Sequence, residues 1–355
     1  MTPGYLYLKG YEQELAQLLS DRIPRDRVRE LLSHYGFRDI EKAWQNIRLI
    51  ALGPSGRMLP PGERRAFLEF AFTLLELLRD TIDPDLALHH LESFAASTGN
   101  RISFLRTLAS RRPHLTRLAN LLAHSNLCQQ ILTRHPEYFD SLAQGAHILE
   151  GRKSDDMYRE IQDRFGQSPR GETKEDVIRK FRQREMVRIA YRDLAGLADA
   201  LEVGKELSNL AEACVKAAAV FAQPDIEPKA GLPQAALRIV ALGKLGSRQL
   251  HYASDLDVVF FYEEPDSVAT PELQARIHRA QDECVERILH LLAGVTSEGV
   301  AYHLDLRLRP EGSAGVLARS WTSFVDYAHH SMQPWERMAL VRSRMLDPSD
   351  EVLRH

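Results

Sequence analysis

Apolar positions recur at helical spacing through the first two thirds of the chain. The run "PGERRAFLEFAFTLLELLRD" opens with Pro61 and carries apolar residues on one side from Phe67 to Leu78, the spacing that an amphipathic helix buries. In "DPDLALHHLESFAAS", Asp83 stands just before Pro84, a capping side chain followed by a proline at the first helical position. "SFLRTLASRRP", "HLTRLANLLAHS" and "NLCQQILTRHPEYFDSL" keep the same period, punctuated by Pro113 and Pro136. No strict repeat emerges, so the pattern predicts an irregular bundle of short helices rather than a solenoid.

A polar stretch, "EGRKSDDMYREIQDRFGQSPRGETKED", predicts a helix and then a loop marked by Gly166, Pro169 and Gly171. Two longer helices follow, "KEDVIRKFRQREMVRIAYRDLAG", ended by Gly196, and "EVGKELSNLAEACVKAAAVFAQ". Arg179, Lys180, Arg182, Arg184 and Arg188 go around much of the first. Such a charge run reads first as a solvated face with Glu175–Arg179 and Asp176–Lys180 pairs, and in the alternative as a basic flank to an anionic ligand.

The period then changes. Pro224, Pro228, Gly231 and Pro233 mark a linker, after which "ALRIVALG", "LDVVFFY" and "AYHLDLRLR" read as strands and "PELQARIHRAQDECVERILHLLAGV" as a long amphipathic helix begun by Pro271. The predicted architecture is α+β: a helical bundle region over 1–170, helices and a linker over 171–230, and a domain with a small mixed sheet over 231–355. A length of 355 residues suits two domains.

Composition adds limits. Apolar residues at 44% and charged residues at 27% give a globular balance. The net charge of -3 argues against a general nucleic-acid binder. Cys128, Cys214 and Cys284 are widely separated and odd in number, which excludes a complete disulfide framework and reads as small buried hydrophobes. The opening "MTPGYLYLKGYEQE" turns polar at once, unlike a signal peptide, and no apolar run spans a bilayer. A cytoplasmic protein without membrane attachment is expected.

The candidate chemistry lies in "YASDLDVVFFY". Asp255 and Asp257 sit at the leading end of an apolar strand, where alternation points both the same way and where carboxylates are costly unless neutralised. In "AYHLDLRLR", Tyr302, Leu304, Leu306 and Leu308 share one face and His303, Asp305, Arg307 and Arg309 the other. A half-exposed antiparallel strand explains this alternation without function; if it lies beside Asp255 and Asp257, three carboxylates converge. Such a trio repels itself and suits a hard divalent ion with oxygen ligands. Upstream, "ALGKLGSRQL" runs a strand into Gly243, Lys244, Leu245, Gly246 and Ser247, a turn whose glycines let backbone N–H groups approach a phosphate. Its spacing is not that of a P-loop, and taken alone it reads equally as a tight strand-to-helix turn. "GPSGR" at 53–57 follows no strand and reads as a helix connector, and His329 and His330 as surface or packing residues.

In this order the parts resemble the polymerase-β-like nucleotidyltransferase superfamily, whose motif is a glycine turn, Asp-x-Asp on a strand and a third carboxylate. More closely, "ALGKLGSRQLHYASDLDVVFFYEE", "DLRLRPEGSAGVLARS", "PWERMALVRSR" and "RKFRQREMVRIAYRDLAG" are similar to blocks of the glutamine synthetase (glutamate–ammonia-ligase) adenylyltransferases. The resemblance is specific from about Lys174 to Arg344. It implies a polymerase-β-like catalytic domain in which Asp255, Asp257 and Asp305 are catalytic and hold two Mg²⁺ ions. It further implies that Gly243, Gly246 and Ser247 form the phosphate-facing turn, that Ser254 sits beside the metals, and that Lys244, Arg307 and Arg309 contact phosphate or substrate. Ser247 stands where the family usually has glycine.

The implied activity is transfer of AMP between ATP and a tyrosine of glutamine synthetase, regulating nitrogen assimilation, with glutamine and a PII signalling protein as implied regulators. The full enzymes carry two catalytic halves, one adding AMP and one removing it by phosphorolysis, and those halves continue with more helices. This chain holds one such half, ending shortly after "WERMALVRSRMLD". Leu256 within "SDLD" and the helices before it lean toward the adding half. The AMP-removing activity, a nucleotide-binding regulatory module without turnover, and a nucleotidyltransferase acting on another acceptor are the alternatives.

Overall fold

A computed structural model describes residues 14–20, 22–54, 56, 60–98, 101–110, 112–144, 148–167, 171–222, 236–264 and 270–346. The linker prolines and glycine at 224–233, Pro169, the chain start at 1–13 and, within "GPSGR", Ser55 and Arg57 lie outside the described residues. Contacts divide the chain into two units, one of residues 1–148 with 190–197 and the other of 149–189 with 198–355.

The first unit is built from helices α1 (Arg25–Leu32), α2 (Ile40–Leu52), α3 (Pro61–Arg79), α4 (Pro84–Ser97), α5 (Arg101–Ser110), α6 (Arg112–His124), α7 (Asn126–Arg134) and α8 (Glu137–Gln144). Their starts are written in side chains. Asp83 accepts the Leu86 N–H at 3.0 Å, Asp39 that of Lys42 at 3.0 Å and Ser125 that of Cys128 at 3.1 Å, each meeting one of the donors that a helix start leaves unpaired. Leu78, Leu88, Phe94, Leu118 and Leu122 are buried, and Phe94 meets Phe104 edge-on at 4.9 Å and Phe139 at 5.9 Å, a geometry favoured by ring quadrupoles.

The second unit holds α9 (Ser154–Gln167), most of α10 (Lys174–Leu194) and α11 (Ala200–Ala222). Then come β1 (Leu237–Ala241), the single turn α12 (Gly243–Gly246), β2 (Leu256–Tyr262), α13 (Pro271–Ala293), β3 (Leu304–Asp305), β4 (Ala318–Ser320), α14 (Trp321–His330), α15 (Pro334–Leu340) and β5 (Arg344–Met345). Among the described residues the sheet has the order β3-β2-β1-β5, with β4 also on β2. β1 pairs antiparallel with β2, Ile239 opposite Phe260. β3 and β4 pair parallel with β2 at its start and its end. The protein is thus α+β, mainly helical, with a small mixed sheet.

Alternation along β1 and β2 builds two cores. Leu237, Ile239, Ala241, Leu256, Val258, Phe260 and Tyr262 join a large cluster with residues of α9, α10, α11 and α13. Val240, Leu242, Val259 and Phe261 form a small one, flanked by Leu308, Phe324 and Leu340. Asp257 has the parity of the thinner side. No described helix is long and apolar enough to cross a membrane.

Two expectations change. "AYHLDLRLR" does not form a strand along its length; only Leu304 and Asp305 are paired. Arg307 N–H donates to the Asp305 carboxylate at 2.9 Å, and Arg309 N–H to Leu306 O at 3.1 Å. The chain therefore turns, and Leu308 packs on the small cluster while Leu304 and Leu306 pack on the large one. The basic run of α10 is also not a solvated face. Arg179 is 1% exposed and donates to the carbonyls of Leu291 at 3.0 Å, Gly299 at 2.7 Å and Glu175 at 2.8 Å, and to that of Gly294, so it caps the end of α13. Lys180 pairs with Glu172 at 2.8 Å rather than with Asp176. Arg184 and Arg188 join Arg152 in a network with Glu160, Glu185 and Glu206, in which Arg152 bridges Glu160 at 2.7 Å and Glu185 at 2.9 Å.

Candidate active site

β2 delivers one carboxylate and β3 another. In the parallel register Asp257 stands directly opposite Asp305, one step after Leu256 opposite Leu304. Leu256 N–H donates to His303 O at 3.0 Å, which locks that register. Asp255 lies just before β2 and is exposed; Asp257 and Asp305 are half-buried. A turn closed by Ser254 presents Asp255: the Ser254 hydroxyl accepts the His251 N–H at 2.9 Å, and its own N–H donates to His251 O at 3.1 Å.

Burial, then the charges of Asp305 and Asp255, push the Asp257 carboxyl above its ordinary range, against the smaller pull of Arg307 and Lys244. Asp305 moves the other way. Its hydrogen bond with Arg307, opposed by slight burial, holds it low, and the Arg307 Nε lies 2.9 Å and 3.0 Å from its two oxygens. One acidic strand pair thus carries two carboxyls shifted in opposite directions, a feature of sites that handle charge.

The glycine turn stands against this pair. Gly243 has φ of 51°, the left-handed region, and a Cβ there would lie 2.5 Å from Asp257 Oδ2. At its other end, a Cβ on Gly246 would lie 1.8 Å from Arg342 O. Glycine is required at both for close approach. Ser247 has φ of -81° and its hydroxyl donates to Gly243 O at 3.0 Å, so a serine fits there without strain. Lys244 is exposed.

The structure brings Asp255, Asp305, Lys244 and Arg307 into electrostatic reach of Asp257, and Gly243 into steric reach of it. Arg309 is directed elsewhere: its guanidinium donates to the carbonyls of Leu306 at 2.9 Å, Ser313 at 2.9 Å and Gly315 at 3.0 Å and closes the loop after β3. Gly246, Ser247 and Ser254 shape the turns that carry their neighbours. Among the described residues no three His, Cys, Asp or Glu side chains are gathered tightly enough to hold a metal ion; Arg307 covers the oxygens of Asp305. The three side chains are all carboxylates, the charges of Asp255 and Asp305 raise the Asp257 carboxyl, and a positive group already sits on Asp305; that is the chemistry that a hard divalent cation would neutralise.

Two residues have roles that the sequence did not show. Arg344 follows a helix and pairs across from Ala241, the residue that ends β1, and two paired residues are too short a strand to show as periodicity. Glu336 is 4% exposed, accepts the Tyr327 hydroxyl at 2.7 Å and the Gln333 N–H at 2.7 Å, and so ties α14 to α15. A polar residue three after Gln333 is the capping-box spacing that could have revealed half of that role.

Fold and site define an α+β protein whose sheet sets an Asp-x-Asp strand beside a third aspartate and a glycine turn. Residues 115–354 match the glutamate-ammonia ligase adenylyltransferase family, and the chain belongs to it. Among its curated relatives is a bifunctional glutamine synthetase adenylyltransferase/adenylyl-removing enzyme of Thioalkalivibrio sulfidiphilus, 27% identical over 332 residues. That match covers 90% of this chain and 34% of the relative, so the chain spans about a third of that relative's length.

Proposed function

We propose that this chain transfers AMP between ATP and a tyrosine of glutamine synthetase, with Mg²⁺ ions held by Asp255, Asp257 and Asp305, and that it works in the cytoplasm. The observation that carries the reading is the pairing of Asp257 with Asp305 across β2 and β3, with Gly243 backbone against Asp257. Bound divalent ions would supply Lewis-acid polarisation of phosphate oxygens and neutralise charge on the departing group.

The chain's own residues do the positioning. Asp257 and Asp305, on neighbouring strands at one register step, fix the spacing of the acidic oxygens. Gly243 leaves room for a phosphate to approach backbone where any side chain would collide with Asp257. Lys244 and Arg307 bring positive charge to the same face, and the guanidinium fork of Arg307 suits phosphate oxygens once it leaves Asp305. In the adding direction, the tyrosine hydroxyl gives its proton to solvent as its oxygen bonds to the α-phosphorus, the bond from that phosphorus to the bridging oxygen breaks, and pyrophosphate departs. In the removing direction, an oxygen of inorganic phosphate bonds to the α-phosphorus, the bond from that phosphorus to the tyrosine oxygen breaks, the tyrosine takes a proton from solvent, and ADP is released. Preorganised charge and alignment account for catalysis of this type.

The test is one incubation of the full chain with glutamine synthetase, ATP and Mg²⁺, and a second with adenylylated glutamine synthetase and phosphate, both read by intact mass. Gain of AMP in the first or its loss in the second identifies the direction; Asp257→Asn abolishes either. Mg²⁺-dependent ATP binding with no mass change in both would make the chain a nucleotide-binding module. Glutamine or PII changing either rate would identify the regulators that the family resemblance implies.

A further inference from the structure

One stripe of α11 grips the glycine turn from behind. Gly204, Ser208 and Glu212 recur every fourth residue, on one face of the helix. At Gly204 a Cβ would lie 3.4 Å from Gln249 Cα and from Leu250 O. The Ser208 hydroxyl donates to Gly204 O at 2.7 Å and accepts the Leu250 N–H at 3.2 Å. Glu212 is 5% exposed and accepts from Arg344 Nη1 at 2.7 Å. The same guanidinium then reaches the turn itself, with Nη2 3.3 Å from Leu245 O and Nε 3.3 Å from Gly246 O. Lys216 lies 3.0 Å from the other oxygen of Glu212.

A buried carboxylate facing a turn needs a purpose or a partner. Glu212 has two cationic partners, and one of them is directed onward to the carbonyls that end α12. Leu245 O also accepts the Arg248 N–H at 3.2 Å, and Arg344 adds a further donor there and reaches Gly246 O, the last carbonyl of a one-turn helix. Arg344 also pairs through its backbone with Ala241, the last residue of β1, and the Arg342 carbonyl fills the space that Gly246 leaves open. The turn is therefore held at both ends, by β5 at one and by the Asp257 carbonyl, which accepts the Leu242 N–H at 2.9 Å, at the other.

We infer that Glu212 and Arg344 are positioning residues that set the glycine turn Gly243–Ser247 for the nucleotide phosphates. This rests on the nucleotidyl-transfer reading above. Neither residue touches the reacting atoms; Glu212 orients Arg344, and Arg344 orients the peptide planes of Leu245 and Gly246. A planar fork serves three acceptors at once in a way that a lysine cannot.

The experiment compares the full chain with Arg344→Met, Arg344→Lys, Glu212→Gln and the Glu212→Gln/Arg344→Met double variant. Amide exchange across 243–250, thermal melting, calorimetric binding of MgATP and steady-state transfer are measured on each. Arg344→Met is expected to speed exchange in that segment and to raise the KM for MgATP, each about tenfold, with a smaller fall in kcat. Exchange in α11 and β2 stays near wild type, and the melting temperature falls only modestly, because Glu212 keeps Lys216 as a partner. Arg344→Lys recovers part of the loss, and the double variant is no worse than Arg344→Met, as for residues acting in series. Wild-type exchange in 243–250 for Arg344→Met overturns the inference. So does a loss spread evenly over helix and sheet, which marks a merely structural residue. If the wild-type chain neither binds MgATP nor moves AMP, the nucleotidyl-transfer reading fails, and the exchange data still decide whether the pair fixes the turn.

Discussion

A side-chain carbon on Gly243 would stand 2.5 Å from Oδ2 of Asp257. Gly243 also holds φ of 51°, so an alanine there meets both a collision and a left-handed backbone that costs about 1–2 kcal/mol. Gly243→Ala is expected to move the Asp257 carboxylate and lower AMP transfer on the order of 100-fold. Circular dichroism should show the fold retained, since the change falls in a single short turn, Gly243–Gly246. Ser247→Gly, by contrast, removes a hydroxyl bonded to Gly243 O at 3.0 Å and to Gln249 Oε1 at 3.3 Å and should leave transfer within about twofold.

Arg307 lies on Asp305 with its side chain 82% exposed. A guanidinium that occupies carboxylate oxygens competes with a cation for them. Arg307→Met should therefore bind Mn²⁺ more tightly than wild type without nucleotide, by severalfold, and MgATP more weakly. Electron paramagnetic resonance titration and calorimetry read the two separately. A parallel loss of both affinities would show that Arg307 does not compete at Asp305.

Acid should weaken the buried network of the second unit. Burial alone would raise the Glu160 carboxyl, but the charges of Arg184 and Arg152 and their hydrogen bonds outweigh it and hold the group at about 2. Glu185 and Glu212, more deeply buried, are likewise held below their ordinary range by their cationic neighbours. A folded-state value below the unfolded value of about 4.3 means that stability is complete above pH ~4.3 and is lost as pH falls toward the folded value. Urea midpoints measured from pH 6 down to pH 3 should fall at the acidic end, and Glu160→Gln should flatten that fall. An unchanged slope in the variant would remove Glu160 from the network's titration.

Arg179 is the buried cap of α13. Arg179→Met removes this donor from the buried Leu291 carbonyl and from the half-buried carbonyls of Gly294 and Gly299, the last of which keeps the Thr296 N–H. A buried acceptor left unmet costs about 1–3 kcal/mol, and a loss of about that size in denaturant titration is expected. Lys180→Met, at a more exposed pair, should cost under about 1 kcal/mol.

Much of this protein is written in local pattern. Helical period and capping side chains such as Asp83 place the helices of the first unit, because a helix satisfies its backbone within its own segment. Alternation and an apolar run place β2, and the i, i+2 spacing of Asp255 and Asp257 places two carboxylates at its head. What the sequence could not decide is which distant residues meet them. The partner of Asp257 depends on a two-residue strand, β3, that ends because Arg307 folds back on Asp305. The destination of each arginine depends on which carbonyls lie near. Arg309 closes a loop, Arg179 caps a helix more than a hundred residues away in sequence, and Arg344 grips the glycine turn. A guanidinium has five donors and no sequence period; only the folded chain brings it the acceptors that give it a role.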